Sequence, residues 1–513
     1  MERFVTRYQD RIAGILTGFD RMLFRGTLRC ISYPKGAEIW LSSRRVLLKD
    51  FAPFAEALTA RVKAHATQVA ADAHRPIEYL ESSRLSKEDR ARTIQQRDGI
   101  TDGLIAIFSC VEPCRAVTVR SNRATRRLGC VVQERKCAHL YFYYADRDFG
   151  LMHIRLQTWF PFTVQVCVNG REWLVQQLTR AGVGFDRSDN CVTRVDDGGR
   201  AQRLLDQLTT RRWARLLRRL ADRVNPLIQR SSGLSLRSYY WSLQESEFAT
   251  DVLFQRPADL AAVYPALARH AIEAFGSQDV LRFLGRRMGG RSAGEVTSSY
   301  LRRPEGLRVK HYVEENSIKM YDKAGRVLRI EVTINQPRRF LVYRERTRRG
   351  HRQRCWGKMR KGIADLPRRV ELSRAANARY LNALSVVLDP TPVHQLFDPI
   401  SRRRHIDDRP YRPLRPIAPD EGARFAALLH GHTALHGCRP QQLRRVLSPT
   451  EPTDPADQKR LTGRVSRLFR LYRAHGLIAK IAHTNRYHVT PKGHQIMSTA
   501  LRFRIANLSQ LAA

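Results

Sequence analysis

Short apolar runs that alternate with polar residues recur through the middle of the chain, and stretches with an apolar spacing of three to four residues flank them. Up to about residue 104 the pattern is mixed and mainly helical, clearest over 51–71 and 86–96. From Leu104 it turns β-rich, with runs at 104–108, 116–120, 130–133, 139–144, 151–157 and 162–169, and then an amphipathic helix over 171–180 and a strongly basic one over 200–223. Residues 105–225 therefore predict an α+β unit, an antiparallel sheet with packed helices. A second such unit is predicted over 226–388. Its strands fall at 238–254, 307–313, 317–322, 327–335 and 340–346, its helices at 257–275, 278–287 and 361–387, and Gly289-Gly290-Arg291 marks a turn. No internal repeat is visible in the sequence.

Repeated prolines and the basic run Arg402–Arg404 make 389–419 read as a linker. Beyond it, 420–430 and 439–447 predict helices and 448–455 a long turn. A helix over 457–475 buries Leu461, Val465, Leu468, Phe469 and Tyr472 on one face and carries Lys459, Arg460, Arg464, Arg467, Arg470 and Arg473 on the others. After Gly476, runs at 477–481 and 486–489 are joined by His483, Thr484 and Asn485, and Pro491 opens a last helix over 492–503. This order over 420–513 predicts a winged helix. Its basic helix would enter a major groove while the hairpin, with Arg486, tracks phosphates. A bundle of helices without nucleic-acid contact is the alternative.

Charge extends this picture to the whole chain. The 513 residues carry 91 Lys plus Arg against 48 Asp plus Glu, a formal charge of +43. Such a field favours a polyanion through counterion release. DNA is the expected partner, double-stranded at the C-terminal module and single-stranded at the central sheets, with RNA left open. No apolar run reaches the length of a membrane span, and residues 1–20 lack a secretory pattern, which predicts a cytoplasmic, nucleoid-associated protein. Nine cysteines in so long a chain do not make a disulfide scaffold. Cys110, Cys114, Cys130 and Cys137, with His139, could supply a structural Zn²⁺ site, although their spacing is not that of a zinc ribbon and buried structural thiols are the plainer reading. Aromatic clusters at 141–144, 159–162 and 239–241 suit either base stacking or sheet core.

Candidate chemistry concentrates in 316–335. Alternation sets Lys319, Tyr321 and Lys323 on one strand face and Arg329, Glu331, Thr333 and Asn335 on the polar face of the next. A three-residue turn over Ala324, Gly325 and Arg326 places Tyr321 opposite Arg329 and Lys319 opposite Glu331. Upstream, Glu245, Glu247 and Asp251 share one face of a strand and offer hard oxygen ligands.

The runs Tyr321-Asp322-Lys323 and Arg329-Ile330-Glu331 resemble rolling-circle replication initiators of the plasmid Rep-trans and filamentous-phage types. The resemblance covers about twenty residues. It implies a nicking enzyme in which Tyr321 attacks one DNA strand and a divalent cation is needed, Mg²⁺ or Mn²⁺; Asp251 and Glu247, with Glu331 third, are the metal candidates, Lys319, Lys323 and Arg329 could activate the phenol, and His311 could serve as ligand or base. A phenol of pKa about 10 needs such cations or a base to become nucleophilic. The His-hydrophobe-His strand of many nickases is missing; the segment Leu151-Met152-His153-Ile154 has one histidine. Two readings follow, a site-specific nickase or strand transferase of mobile-element or plasmid type, and a non-enzymatic DNA-binding regulator in which the same residues form cross-strand pairs. No Walker-type loop supports ATP hydrolysis, and residues 1–104 carry no functional signal.

Overall fold

The computed structural model describes residues 1–507 except 83, 123–125, 189, 237, 286–295, 304–305, 349–350, 388–391, 407, 430–436, 449–451, 453 and 482–483. The turn expected at Gly289–Arg291, part of the one at 448–455, and His483 lie outside the described residues.

The chain opens with a short helix α1 (Glu2–Arg7) and a sixteen-residue strand β1 (Ile12–Thr27). Then follow α2 (Pro34–Ser43), α3 (Phe51–Asp72), β2 (Ile77–Tyr79), α4 (Lys87–Arg97), β3 (Gly103–Asn122), β4 (Arg127–Asp146), β5 (Gly150–Gln157) and β6 (Val164–Asn169). Next are α5 (Gly170–Arg180), a small hairpin β7 (Phe185–Arg187) and β8 (Val192–Val195), α6 (Gly198–Thr210) and α7 (Trp213–Val224). The second half runs β9 (Tyr240–Phe254), α8 (Pro257–Glu273), α9 (Ser277–Phe283), β10 (Val296–Arg303), β11 (Gly306–Val313), β12 (Asn316–Lys323), β13 (Val327–Ile334), the hairpin β14 (Leu341–Arg348) and β15 (His351–Lys358), and α10 (Leu366–Leu384).

The α+β class expected from the sequence is the one observed, but the two units do not have separate sheets. Eleven strands form one sheet in the order β10-β11-β12-β13-β9-β1-β6-β5-β4-β3-β2, antiparallel throughout except for the β2–β3 pair. The order is a repeat that the sequence does not display. In each half a long strand is followed by helices, four antiparallel strands and further helices, and the last of the four pairs with that opening long strand. The two long strands, β1 and β9, pair along the centre from Ile12↔Phe254 to Thr27↔Tyr240.

Strand β1 corrects the mainly helical reading of 1–104. Its sequence, Ile12-Ala13-Gly14-Ile15-Leu16-Thr17-Gly18-Phe19-Asp20, has no polar–apolar alternation because it is flanked by strands and covered by helices. The first core gathers Leu16, Phe19, Met22 and Phe24 with Phe142, Val166, Trp173, Leu208 and Trp213. A second core sets Ile318, Met320, Leu328, Ile330 and Val332 against Leu260, Leu267 and Tyr380. The basic stretch 200–223 is two helices broken at Arg211–Arg212, and Leu205 of α6 packs where a Cβ on Gly18 would stand, 2.5 Å away. The aromatic clusters are largely sheet core: Phe142, Tyr144, Phe160, Phe162, Tyr239 and Trp241 are buried in the first core, while Tyr141 and Tyr143 lie under α4 in a small fourth one.

The expected linker has structure of its own, with α11 (Val393–Phe397) and a hairpin of β16 (Arg404–Ile406) and β17 (Arg409–Tyr411). Phe397, Ile400 and Leu414 are built into the third core. The C-terminal unit continues with α12 (Pro419–Leu429), α13 (Pro440–Leu447), α14 (Pro455–Ala474), the hairpin β18 (Ile478–Lys480) and β19 (Tyr487–Val489), and α15 (Pro491–Ile505). Among the described residues no helix is long and apolar enough to cross a membrane.

Candidate metal and tyrosine site

The hairpin register is the one read from the sequence. Tyr321 lies opposite Arg329 and Lys319 opposite Glu331, and the turn over Ala324-Gly325-Arg326 closes with Lys323 opposite Val327. Ala324 and Gly325 both have positive φ, 56° and 66°. Strand β13 then lays Arg329 beside Asp251 and Glu331 beside Ala249 on β9. On β1 the register slips between Phe19 and Arg21, so that Asp20 is the extra residue of a bulge. Bulges re-aim side chains; this one delivers a carboxylate from the opposite end of the chain.

Asp20, Glu247 and Glu331 each offer an oxygen within 4.8 Å of the others. Among the described residues this is the one group of three or more acidic, cysteine or histidine side chains so placed. Tyr321 Oη donates a hydrogen bond to Glu331 Oε2 at 3.1 Å, and Lys319 Nζ lies 2.6 Å from Glu331 Oε1. Glu331 and Asp20 are buried, Glu247, Lys319 and Tyr321 half-buried. The cluster thus has a closed floor and a side open to solvent.

The floor is a network of ion pairs. Arg329 Nε and Nη2 donate to the two oxygens of Asp251 at 2.6 and 2.9 Å, and its Nη1 donates to Asp20 Oδ2 at 2.8 Å. Arg171, at the start of α5, reaches Asp251 Oδ2 at 3.1 Å, and Asn190 Nδ2 donates to Asp20 Oδ1 at 2.9 Å. A bidentate arginine in this setting fixes both carboxylates in place.

Burial and charge set the protonation of each group. Burial raises a carboxylate, and at Asp20 it is outweighed by Arg329, then Arg171 and the Asn190 hydrogen bond, so this carboxyl is held below its usual range. Glu331 is pushed up to about 7, first by burial, with Glu247 and Asp20 adding to it against Lys319 and Arg329. Burial, then Glu331, raises the Tyr321 phenol well above its ordinary value, so the resting side chain is a neutral donor.

The expected site residues divide on this geometry. Tyr321, Glu247 and Glu331 come together, Arg329 sits beneath them, and Lys323 is two residues beyond Tyr321 at the hairpin turn. Asp251 lies outside the three-carboxylate group, its oxygens facing Arg329 and Arg171. His311 lies outside it too. It lies opposite Ile318, on the core side of the sheet, where Ser298 Oγ and Tyr380 Oη contact its ring nitrogens and burial pushes it down to about 4. Asp20, Arg171 and Asn190 were not anticipated; an acidic residue inside a continuous apolar run was the available signal for Asp20.

Cys110, Cys114, Cys130 and Cys137 form no ligand group: Cys114 and Cys137 touch each other, while the Cys130 backbone N–H donates to Glu38 away from them. In the C-terminal unit, Lys459, Arg460, Arg464, Arg467, Arg470 and Arg473 are all exposed along α14. Arg464, Arg467 and Arg470 line a cavity of about 500 Å³ with Arg409, Arg412 and Arg424. Arg486 lies in the β18–β19 hairpin, its carbonyl accepting from the Ile481 N–H at 2.9 Å, and its guanidinium stands over the Trp356 ring of β15, 5.1 Å from the centroid. Comparison of the chain with protein-family models, with curated proteins and with solved structures finds no match.

Proposed function

We propose that this chain is a metal-dependent DNA strand nickase or transferase of mobile-element or plasmid type, with Tyr321 as nucleophile and the C-terminal unit as a winged-helix targeting module. The observation that carries the reading is the Tyr321 hydroxyl on Glu331, inside a three-carboxylate group whose oxygens lie within 4.8 Å of one another. The donor set fits a hard divalent cation, being all oxygen, and burial beside two further carboxylates pushes Glu331 up to about 7 in spite of Lys319. Asp20, Glu247 and Glu331 would hold Mg²⁺ or Mn²⁺, which when bound supplies charge stabilisation to a phosphoryl oxygen.

The remaining chemistry belongs to the chain. Glu331, accepting the Tyr321 hydroxyl, is placed to take its proton. The phenolic oxygen then forms a bond to phosphorus. The bond from phosphorus to one sugar oxygen breaks, and that oxygen leaves as a hydroxyl by taking up the proton that Glu331 received, giving a phosphotyrosine and a free strand end. Lys319 is close enough to offset charge at the reacting group. Arg329 acts as a positioning residue, since it is buried beneath the group and donates to both Asp20 and Asp251.

Supercoiled DNA bearing the sequence that flanks the gene should be converted to relaxed circles by the purified protein with Mg²⁺ or Mn²⁺, with a covalent protein–DNA adduct. Binding without either product would overturn the reading. The non-enzymatic regulator draws support from the Lys319–Glu331 ion pair, a cross-strand contact of the kind it expects; it expects site-specific binding that is lost on deleting residues 415–513 and no cleavage at all.

A further inference from the structure

Strand β1 carries a second polar cluster on the face that holds Arg21 opposite Glu247. Arg25 lies four residues beyond Arg21 on that face, opposite Gln165 of β6, which is opposite Arg155 of β5. These side chains, with Arg115, Gln157 and Thr163, line a cavity of about 150 Å³ whose lining contains three arginines and no carboxylate. Arg155 is partly engaged, donating to Glu112 at 2.6 Å and to Gln165 at 2.9 Å. Its Nε, the Arg25 Nε and the Thr163 hydroxyl are buried without a hydrogen-bond partner, and Thr163 is only 7% exposed.

Buried donors left without acceptors are costly, and clustered guanidinium groups repel one another. At Arg25, burial and then the charges of Arg115 and Arg155 press the guanidinium below its ordinary value. A tetrahedral oxyanion relieves both penalties, because it brings negative charge and several acceptor lone pairs to the forks.

We propose that this cavity binds a backbone phosphate of a DNA single strand, the same strand that reaches Tyr321. The identity of the strand rests on the function proposed above, whereas the phosphate assignment rests on the cavity. Arg25 is five residues from Asp20 along an extended strand, roughly 16 Å at about 3.3 Å per residue. That separation spans about four to five nucleotides at the ~3.4 Å rise of a B-form strand, and fewer when the strand is extended. Arg21 stands between the two sites on the same face.

The test measures fluorescence anisotropy of a labelled single-stranded oligonucleotide with the full-length protein in EDTA, so that no cleavage is needed. The double variant Arg25→Gln/Arg115→Gln should bind about tenfold more weakly, with a salt slope shallower by roughly 0.7 per lost phosphate contact. Inorganic phosphate should compete with the oligonucleotide on the wild type and lose that effect on the variant. Wild-type affinity and slope in the variant would overturn the proposal. Loss of phosphate competition with unchanged oligonucleotide affinity would overturn the strand assignment, making free phosphate the ligand. Should the double variant fail to fold, Arg115→Glu, at an exposed position, gives the same readouts. Arginine-dependent oligonucleotide binding by a protein that never nicks DNA would leave the cavity standing and remove the nickase.

Discussion

Glu331 gives the sharpest test of the acidic group, because its ionisation is coupled to folding. Its carboxyl titrates near 7 in the folded protein against 4.5 for the free side chain. Folding therefore favours the protonated form, and the contribution is fully present below about pH 4.5 and lost as the pH rises through 7. A difference of about 2.5 units at ~1.36 kcal/mol each makes the loss roughly 3 kcal/mol. Asp20 runs the opposite way, its folded value being depressed, so its contribution is lost only under more acid conditions and does not mask the effect. Thermal melts in EDTA from pH 5 to 8 should show the wild type losing stability relative to Glu331→Gln, which cannot ionise. A divalent cation at about a hundred times its Kd should restore roughly 2.7 kcal/mol to the wild type at pH 8, and little to the variant. Melting temperatures of the two proteins that run parallel across this range would refute the reasoning, since they would mean that the carboxyl is not held out of water among like charges.

Three further outcomes are expected. Tyr321→Phe should abolish nicking and the covalent adduct in the plasmid assay while moving the melting temperature little, because the hydrogen bond to Glu331 that it removes is worth about 1 kcal/mol; persistent adduct would assign the nucleophile elsewhere. Arg329→Met should cost about 3–5 kcal/mol in denaturant unfolding at pH 7, since it leaves Asp20 and Asp251 buried without their shared partner, and a loss under 1 kcal/mol would contradict the network. Arg464→Gln and Arg467→Gln on the exposed face of α14 should each weaken duplex binding and lower the salt slope by about 0.9, whereas unchanged slopes would move the duplex contact off this helix.

The sequence carried the hairpin well and the centre of the sheet poorly, for physical reasons. Period-two alternation in Lys319, Tyr321, Arg329 and Glu331 and a turn with two positive-φ residues fix a local register, and local register needs no knowledge of the rest of the chain. His311 shares the parity of Val309 and Val313, so the alternation itself sets it on the apolar face, away from Tyr321, which lies opposite Arg308. Asp251 sat on the correct face, but only the three-dimensional pairing shows that two arginines take up its oxygens. Asp20 was hidden in a strand buried on both sides, whose unbroken apolar run has no period, and in a bulge that no local pattern announces. The single sheet was equally out of reach, because its seam joins strands more than two hundred residues apart.

That seam also sets the order in which the molecule can be made. As the chain leaves the ribosome, β1 emerges first and its neighbour β9 is completed roughly two hundred residues later, a wait on the order of 10–45 s at about 5–20 residues per second. During this interval the edge of β1 that β9 will pair has no partner, and its other edge has only the short β6, over Arg21–Gly26, as a forthcoming one. A nascent first half is thus an aggregation hazard, and yield in a heterologous host should depend on translation speed and on chaperones that shield residues 12–27 until the second half arrives.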